Sequence, residues 1–413
     1  MNPSQSKTTR YTAAALCGLA LLLVIGWLTL RESPPPSPDL PPIRAVTVSP
    51  RIPLVVTDNT APQETSTNQV AESAPIPTNA ATLYRQAFAI YDALSKEQKD
   101  LTAGGRTNDV SVEAELCEKI QPICDLMHQA AATTNYDWGL GQPVSVNPLP
   151  PYLSPCRNLA RAAVWSAAHC RTNDPSAAVE DLIATSRLGQ NVSSPATLLA
   201  HLVDLAIQGL VIHSVAENAS LLASADDTRL VELLSAANYD EGLRRAFEQE
   251  ADSTAREADT AASLPPEEAI AELRKFFGLD ASSSELGPMG PVQMIAYLRQ
   301  AADLQRQYGQ ALEMPEAEYS EWLANLQAAA NANPLVGMFV SSFRPAVDKT
   351  QAMTVNSAMA VAGLAVMQNG TDALPSHPDP TTGQPFAYKQ TPDGFELESS
   401  FQVAEKSLKL SFK

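Results

Sequence analysis

Three helix starts recur at even intervals along the chain, Ser154-Pro155, Asp174-Pro175 and Ser194-Pro195, each 20 residues after the last. Each pairs a good N-cap side chain with proline at the first helical position, where its missing N–H would have no partner anyway. Between them lie "CRNLARAAVWSAAHC", "SAAVEDLIATSRLG" and "ATLLAHLVDLAIQGLVIHSVAE". A 20-residue spacing holds one helix and one turn, so successive helices are predicted to be antiparallel neighbours. The pattern is locally that of a helical-hairpin solenoid, without the 34-residue consensus of tetratricopeptide repeats.

The same periodicity runs through the rest of the chain from Thr78. Leu83, Ala87, Ile90 and Leu94 share one helix face, and Ser95 with Gln98 forms a capping box for the next turn. A helix is predicted over 109–133, kinked or interrupted at Pro122. Others are predicted at 225–237, 240–262, 266–277, 291–312, 316–331 and 344–368. The last resembles a membrane span, but Asp348, Lys349 and Asn356 leave a clean apolar run of about 11 residues, so it reads as a core helix. Apolar residues make up 45% of the 413 and aromatics only 6%, so alanine carries much of the helical core.

Before Thr78 the composition is different. Residues 11–30 form an uncharged apolar run, long enough as a helix of roughly 20 residues to cross a bilayer. A cleaved signal peptide would have a shorter apolar region and a small-residue exit; here the exit is "LTLRESPPP". Cys17 lies inside the run, which disfavours a lipoprotein. Lys7 and Arg10 precede it, which favours a cytoplasmic amino end and an extracytoplasmic bulk. Residues 31–77 hold 11 prolines and read as an extended, disordered spacer. The net charge of −18 repels nucleic acid, so no nucleic-acid partner is expected.

The tail is different again. "PFAYKQ" and "GFELES" alternate, "TPDG" between them is a turn signal, and "SLKLSF" follows as a third strand. A small antiparallel β unit packed on the 344–368 helix is expected. His377 and Asp379 offer a possible metal pair, a reading subordinate to the hairpin.

Chemistry is sparsely marked. Cys117, Cys124, Cys156 and Cys170 allow three pairings into two disulfides. Cys117 with Cys124, and Cys156 with Cys170, lie about 10 and about 21 Å apart along single helices, so bonding across two helices is geometrically easier. Buried free thiols are the other reading. The histidines, His169 beside Cys170 included, lack metal-site spacing. No nucleophile box or phosphate loop appears. Neither a metal nor a cofactor is implied.

The most suggestive stretch is 135–165, an aromatic and proline-rich loop feeding a helix with Arg157 and Arg161 at i, i+4. Two readings stand. Trp138 and Tyr152 pack the loop down while Arg157 pairs with a carboxylate such as Asp137; or Asp137, Trp138, Tyr152, Arg157 and Arg161 line a groove for an acidic ligand. Convergence of Asp137, Arg157, Arg161 and His169 in a deep pocket would favour the second.

The order of parts resembles a group of uncharacterised bacterial single-span envelope proteins with an alanine-rich helical ectodomain. The similarity lies in "YDWGL", "LPPYLSPCRNLARAAVW", "DPSAAVEDLIATSRLGQ" and "SPATLLAHLVDLAIQGL", which are packing motifs. It implies an architecture and no activity. The tail resembles a segment of type II secretion major pseudopilins at Asp379, Pro380, Gly383, Pro385, Phe386 and Tyr388. The apolar run lacks the Gly-Phe-Thr-x-x-Glu start of those proteins, and "SSFQVAEKSLKLSFK" stands where their acidic calcium loop would be.

The expectation is a mainly α protein, an antiparallel helical bundle or irregular α-solenoid with a C-terminal antiparallel β unit, preceded by one transmembrane helix and a Pro-rich linker. Its parts are a cytoplasmic tail (1–10), the anchor (11–30), the linker (31–77), the helical ectodomain (78–372) and the β unit (373–413). The expected role is protein binding or scaffolding at the inner membrane, with envelope proteins as partners and no identifiable catalysis. The alternatives are an enzyme or small-ligand binder using the 135–165 groove, and a pseudopilin-like secretion component.

Overall fold

Local capping decides where several of the helices begin. The computed structural model describes residues 79–139, 150–194, 196–225, 228–276, 290–312, 314, 318, 319, 321–326, 334–403 and 406–413, with backbone alone for 334–342. The apolar run 11–30 and the proline-rich stretch 31–77 lie outside these residues. Helix α1 (Ala80–Asp92) is capped by the Asn79 side chain, which accepts from Ala81 N at 3.0 Å. Helix α2 (Lys96–Thr102) carries the expected capping box: Ser95 Oγ accepts from Gln98 N, and Gln98 Oε1 accepts from Ser95 N.

Helix α3 (Val110–Ala131) runs unbroken through Pro122, where the sequence predicts a kink or break. Pro122 and Glu118, whose carbonyl loses its donor, are both exposed, so water can take the freed acceptor.

The three proline starts resolve differently. Helix α5 (Pro175–Val192) begins as expected, with Asp174 Oδ1 accepting from Ala177 N at 3.0 Å. Helix α4 (Leu153–His169) starts two residues before Pro155, which then sits in the first turn, where amide donors are orphaned in any case. Helix α6 (Leu198–Glu217) starts after Pro195, at a competing cap: Thr197 Oγ1 accepts from Ala200 N at 3.2 Å. Its first amide, Leu198 N, is taken by Glu250 Oε1 from a distant helix at 3.1 Å, a partner no local pattern reveals.

Short helices α7 (Ala219–Ala223) and α8 (Arg229–Ser235) lead to α9 (Tyr239–Ala262), α10 (Pro266–Phe276) and α11 (Pro291–Ala311). Arg306 pairs with Asp252 at 3.0 Å and Arg299 with Asp259 at 2.8 Å, so α9 and α11 run in opposite directions. These pairs are exposed and add little stability. Ala258, Ala261, Leu273, Phe276, Met294 and Leu298 pack a separate small core here. Helix α12 (Pro334–Asn369) starts ten residues before its predicted beginning and passes through Pro345.

Among the described residues one helix, α6, is long and apolar enough to cross a membrane by length and composition alone. Of its most apolar window 72% is buried against the rest of the protein. It contributes Val203 and Ile207 to the core formed with α1, α3, α4 and α5, and Val211 and Val215 to a second core. That second core contains α12 and the C-terminal strands.

A 3-10 turn (Thr371–Ser376) leads into β1 (Ala387–Thr391), β2 (Gly394–Val403) and β3 (Lys406–Phe412), an antiparallel sheet in the order β1-β2-β3. Tyr388 faces Leu397, which faces Leu410, and Phe395 faces Phe412 with rings 4.9 Å apart. Phe412 lies directly on Gly363 of α12, where a Cβ would come within 2.0 Å of the ring. Only glycine lets the strand seat this closely. β3 ends by exchanging backbone bonds with the end of α6 and the start of α7: Lys413 N donates to Ala216 O, and Ser220 N donates to Lys413 O.

Candidate functional site

The described residues on either side of 140–149 pack against the helices. Trp138 is buried between Tyr152, stacked at 4.2 Å, and Tyr84 at 5.8 Å, and its Nε1 donates to Asn191 O at 3.0 Å. Arg85 donates to the Trp138 carbonyl. Asp137 shapes the turn: its carboxylate accepts from Gly139 N at 2.7 Å, and its backbone is clamped by the Asn79 amide. Arg157 and Arg161 are half-buried on α4. Burial, with Arg161 beside it, pushes the Arg157 pKa down to about 10, which leaves it charged at neutral pH. His169 stacks on Trp165 at 4.7 Å, about 18 Å further along the same helix. Asp137, Arg157, Arg161 and His169 therefore do not meet in one pocket.

Asp379 and His377 do not present a free ligand pair. The Asp379 carboxylate accepts from Ser399 Oγ at 2.5 Å, from Thr381 N at 2.8 Å and from Thr381 Oγ1 at 2.6 Å. Burial raises its pKa, but these bonds outweigh that and hold it below the usual carboxylate range. Among the described residues no group of three or more His, Cys, Asp or Glu side chains is placed to hold a metal ion.

Two buried polar clusters went unnoticed in the sequence. The first centres on Asp181 of α5, which is fully buried. Its Oδ2 accepts from Ser166 Oγ at 2.9 Å and lies 3.3 Å from Arg171 Nε; its Oδ1 lies 2.9 Å from His128 Nε2, without good hydrogen-bond alignment. Arg171 also donates to Gln121 at 2.6 Å. Arg171 directly follows Cys170, which is disulfide-bonded to Cys117 with Cα atoms 5.6 Å apart. The bridge joins α3 to the end of α4, the cross-helix solution, and leaves Cys124 and Cys156 as buried thiols. Burial pushes both thiol pKa values up, so they are inert. Ser, His and Asp are all present, but Ser166 and His128 both point at the carboxylate. Without a base on the hydroxyl this is a charge-neutralising cluster rather than a nucleophile site.

The second cluster is a polar seam on α6. His201, Asp204 and Gln208 lie three and four residues apart, on one face. His201 Nε2 lies 3.1 Å from Thr350 Oγ1 of α12, and Gln208 Nε2 donates to Asp204 Oδ1 at 2.9 Å and to Ser186 O at 3.0 Å. Gly189 makes room: a Cβ there would lie 2.4 Å from Asp204 Oδ1. Burial, then Arg245, pushes His201 down to about 4, so it is neutral at neutral pH. Burial pushes Asp204 up to about 6.

An unfolded Asp titrates at about 4, so between about pH 4 and 6 the folded state keeps a proton that the unfolded state has lost. Stability from this group is full below that window and falls as pH rises through it. Asp204→Asn removes the penalty. Its melting temperature is expected to match wild type near pH 4 and to exceed it by a few degrees at pH 7.5; a gap independent of pH would count against this account.

A third feature is a cleft of about 320 Å³ between the α8–α9 turn, α12 and the turn after the 3-10 segment. Leu234, Tyr239, Ser357 and Val361 form its buried floor, and Ser376, Pro378 and Pro380 stand exposed at its rim.

These features define a mainly helical protein with a C-terminal three-stranded antiparallel sheet, a cross-helix disulfide and a cleft of moderate size. No known protein family matches the chain, and no curated protein or solved structure matches it either.

Proposed function

We propose that the chain is a membrane-anchored, extracytoplasmic protein whose helical ectodomain binds or scaffolds other proteins of the bacterial envelope. Residues 11–30 are the inner-membrane anchor, residues 31–77 the spacer, and the helices from Asn79 an irregular antiparallel bundle. The observation that carries this reading is the Cys117–Cys170 bridge. Disulfides persist in oxidising compartments outside the cytoplasm, the same side that Lys7 and Arg10 assign to the bulk of the chain. A non-catalytic role is supported by the Asp181 cluster, where Ser166 and Arg171 both engage the carboxylate and no base faces the Ser166 hydroxyl.

The test is topological. Spheroplasts denatured in N-ethylmaleimide, then reduced and given a bulky maleimide, are expected to show a gel shift of two labels, from Cys117 and Cys170, that is absent without reduction. Added protease is expected to trim the ectodomain from outside. Full protection, or alkylation of both cysteines without reduction, would overturn the assignment.

A further inference from the structure

We infer that Asn369 is a self-modification site: its side chain closes on the Gly370 nitrogen to a cyclic imide, which water opens to aspartate or isoaspartate. This holds whether or not the chain is a scaffold. In the closing step the Gly370 nitrogen gives up its proton and bonds to the Asn369 carboxamide carbon. The carbon–nitrogen bond of that carboxamide breaks, and the amide group leaves with the proton as ammonia. Water then cuts one of the two imide bonds. Cleavage on the side-chain carbonyl gives aspartate, and cleavage on the backbone carbonyl gives isoaspartate.

Sequence and structure together single out this position. Asn369-Gly370 is the one Asn-Gly pair in the chain, and glycine has no side chain to hinder approach to its nitrogen. Asn369 is the last residue of α12 and is exposed, as is Gly370. Gly370 has a φ of 78°, and nothing lies within 4 Å of where its Cβ would project. Among the described residues no partner holds the Asn369 carboxamide. Those of Asn79, Asn191 and Asn218 are tied to Asp137 O, Tyr84 Oη and Ser214 O. One hydrogen bond restrains the reaction: Gly370 N donates to Val366 O at 2.8 Å, at an exposed helix end where opening is cheap. The related Asp393-Gly394 pair is held more firmly. Gly394 pairs with Thr391 inside the β1–β2 hairpin, where a Cβ would run into the Phe412 carbonyl.

The change falls on the link between α12 and the sheet. A new carboxylate at this end of α12 meets the negative pole of the helix dipole. Isoaspartate also lengthens the backbone by one carbon, which carries the Gly370 amide away from Val366 O. The link through Leu374, buried in the second core, then loosens, while Phe412 on Gly363 keeps the sheet seated.

The full chain in lipid nanodiscs is held at neutral pH and physiological temperature for weeks and sampled by peptide mass spectrometry. Asn369 is expected to convert to acid at least about tenfold faster than any other described asparagine, with isoaspartate among the products. Hydrogen exchange of the aged chain is expected to lose protection over 366–376 and to keep it in β2. Asn369→Gln, whose longer side chain would need a six-membered ring, is expected to keep both its mass and its protection. Conversion no faster than at the other asparagines, aspartate without isoaspartate, or unchanged protection over 366–376 after conversion would overturn the inference.

Discussion

Replacing Cys117 and Cys170 together with serine is expected to lower the unfolding free energy by about 4 kcal/mol. The two residues are 53 apart in sequence, and closing a loop of that size removes roughly this much chain entropy from the unfolded state. A second loss adds to the first. Cys170 is the C-cap of α4, and Arg171 next to it lies against Asp181 and Gln121. With the bridge gone, that turn is free to fray and to carry the guanidinium off the buried carboxylate. Denaturant unfolding of the oxidised wild type and the double serine variant measures the effect directly. The midpoint is expected to fall with the loss, whereas coincident curves would mean that the bridge contributes nothing to the native state. In denaturant without reductant, three of the five cysteines are expected to titrate as free thiols.

Asp181→Leu is expected to cost about 3–5 kcal/mol, the range for removing one partner of a buried ion pair. Ser166, Arg171 and His128 all converge on this carboxylate, and Asp181 itself has no exposure to water. Arg171 carries most of the penalty, being largely buried, while His128 is 31% exposed and can turn to solvent. Adding Arg171→Met to Asp181→Leu is therefore expected to recover part of the loss, because no unpaired charge is left behind. Equilibrium unfolding of the two single variants and the double variant gives the coupling. A cost below about 1 kcal/mol for Asp181→Leu, or strict additivity in the cycle, would sink this account of the cluster.

The Asp181 cluster was not legible from spacing. His128 reaches Asp181 across 53 positions, and Arg171 reaches Gln121 across 50. Whether such side chains meet depends on how each helix is rotated about its axis and where it crosses its neighbours. On α6 the trio His201, Asp204 and Gln208 was visible as helical spacing, but the mean apolarity of "LLAHLVDLAIQGLVIHSVAE" masked it. The aromatic loop was legible as packing. A Trp and a Tyr flanking prolines have large faces to bury, and Trp138 and Tyr152 bury them on each other.

What the sequence determined by itself is the set of local decisions. The capping box at Ser95 and Gln98, the Asp174 cap, and the Pro392-Asp393 turn joining β1 to β2 each close within a few residues. Such interactions form in whatever tertiary setting the segment finds itself. The tertiary structure alone decided that Glu250 takes the first amide of α6, and that α3 stays continuous through Pro122 on an exposed face. It also decided that Cys117 bonds Cys170, and that Phe412 seats on Gly363. Each of these is a contact between distant segments, set by packing between elements whose relative placement no local pattern encodes.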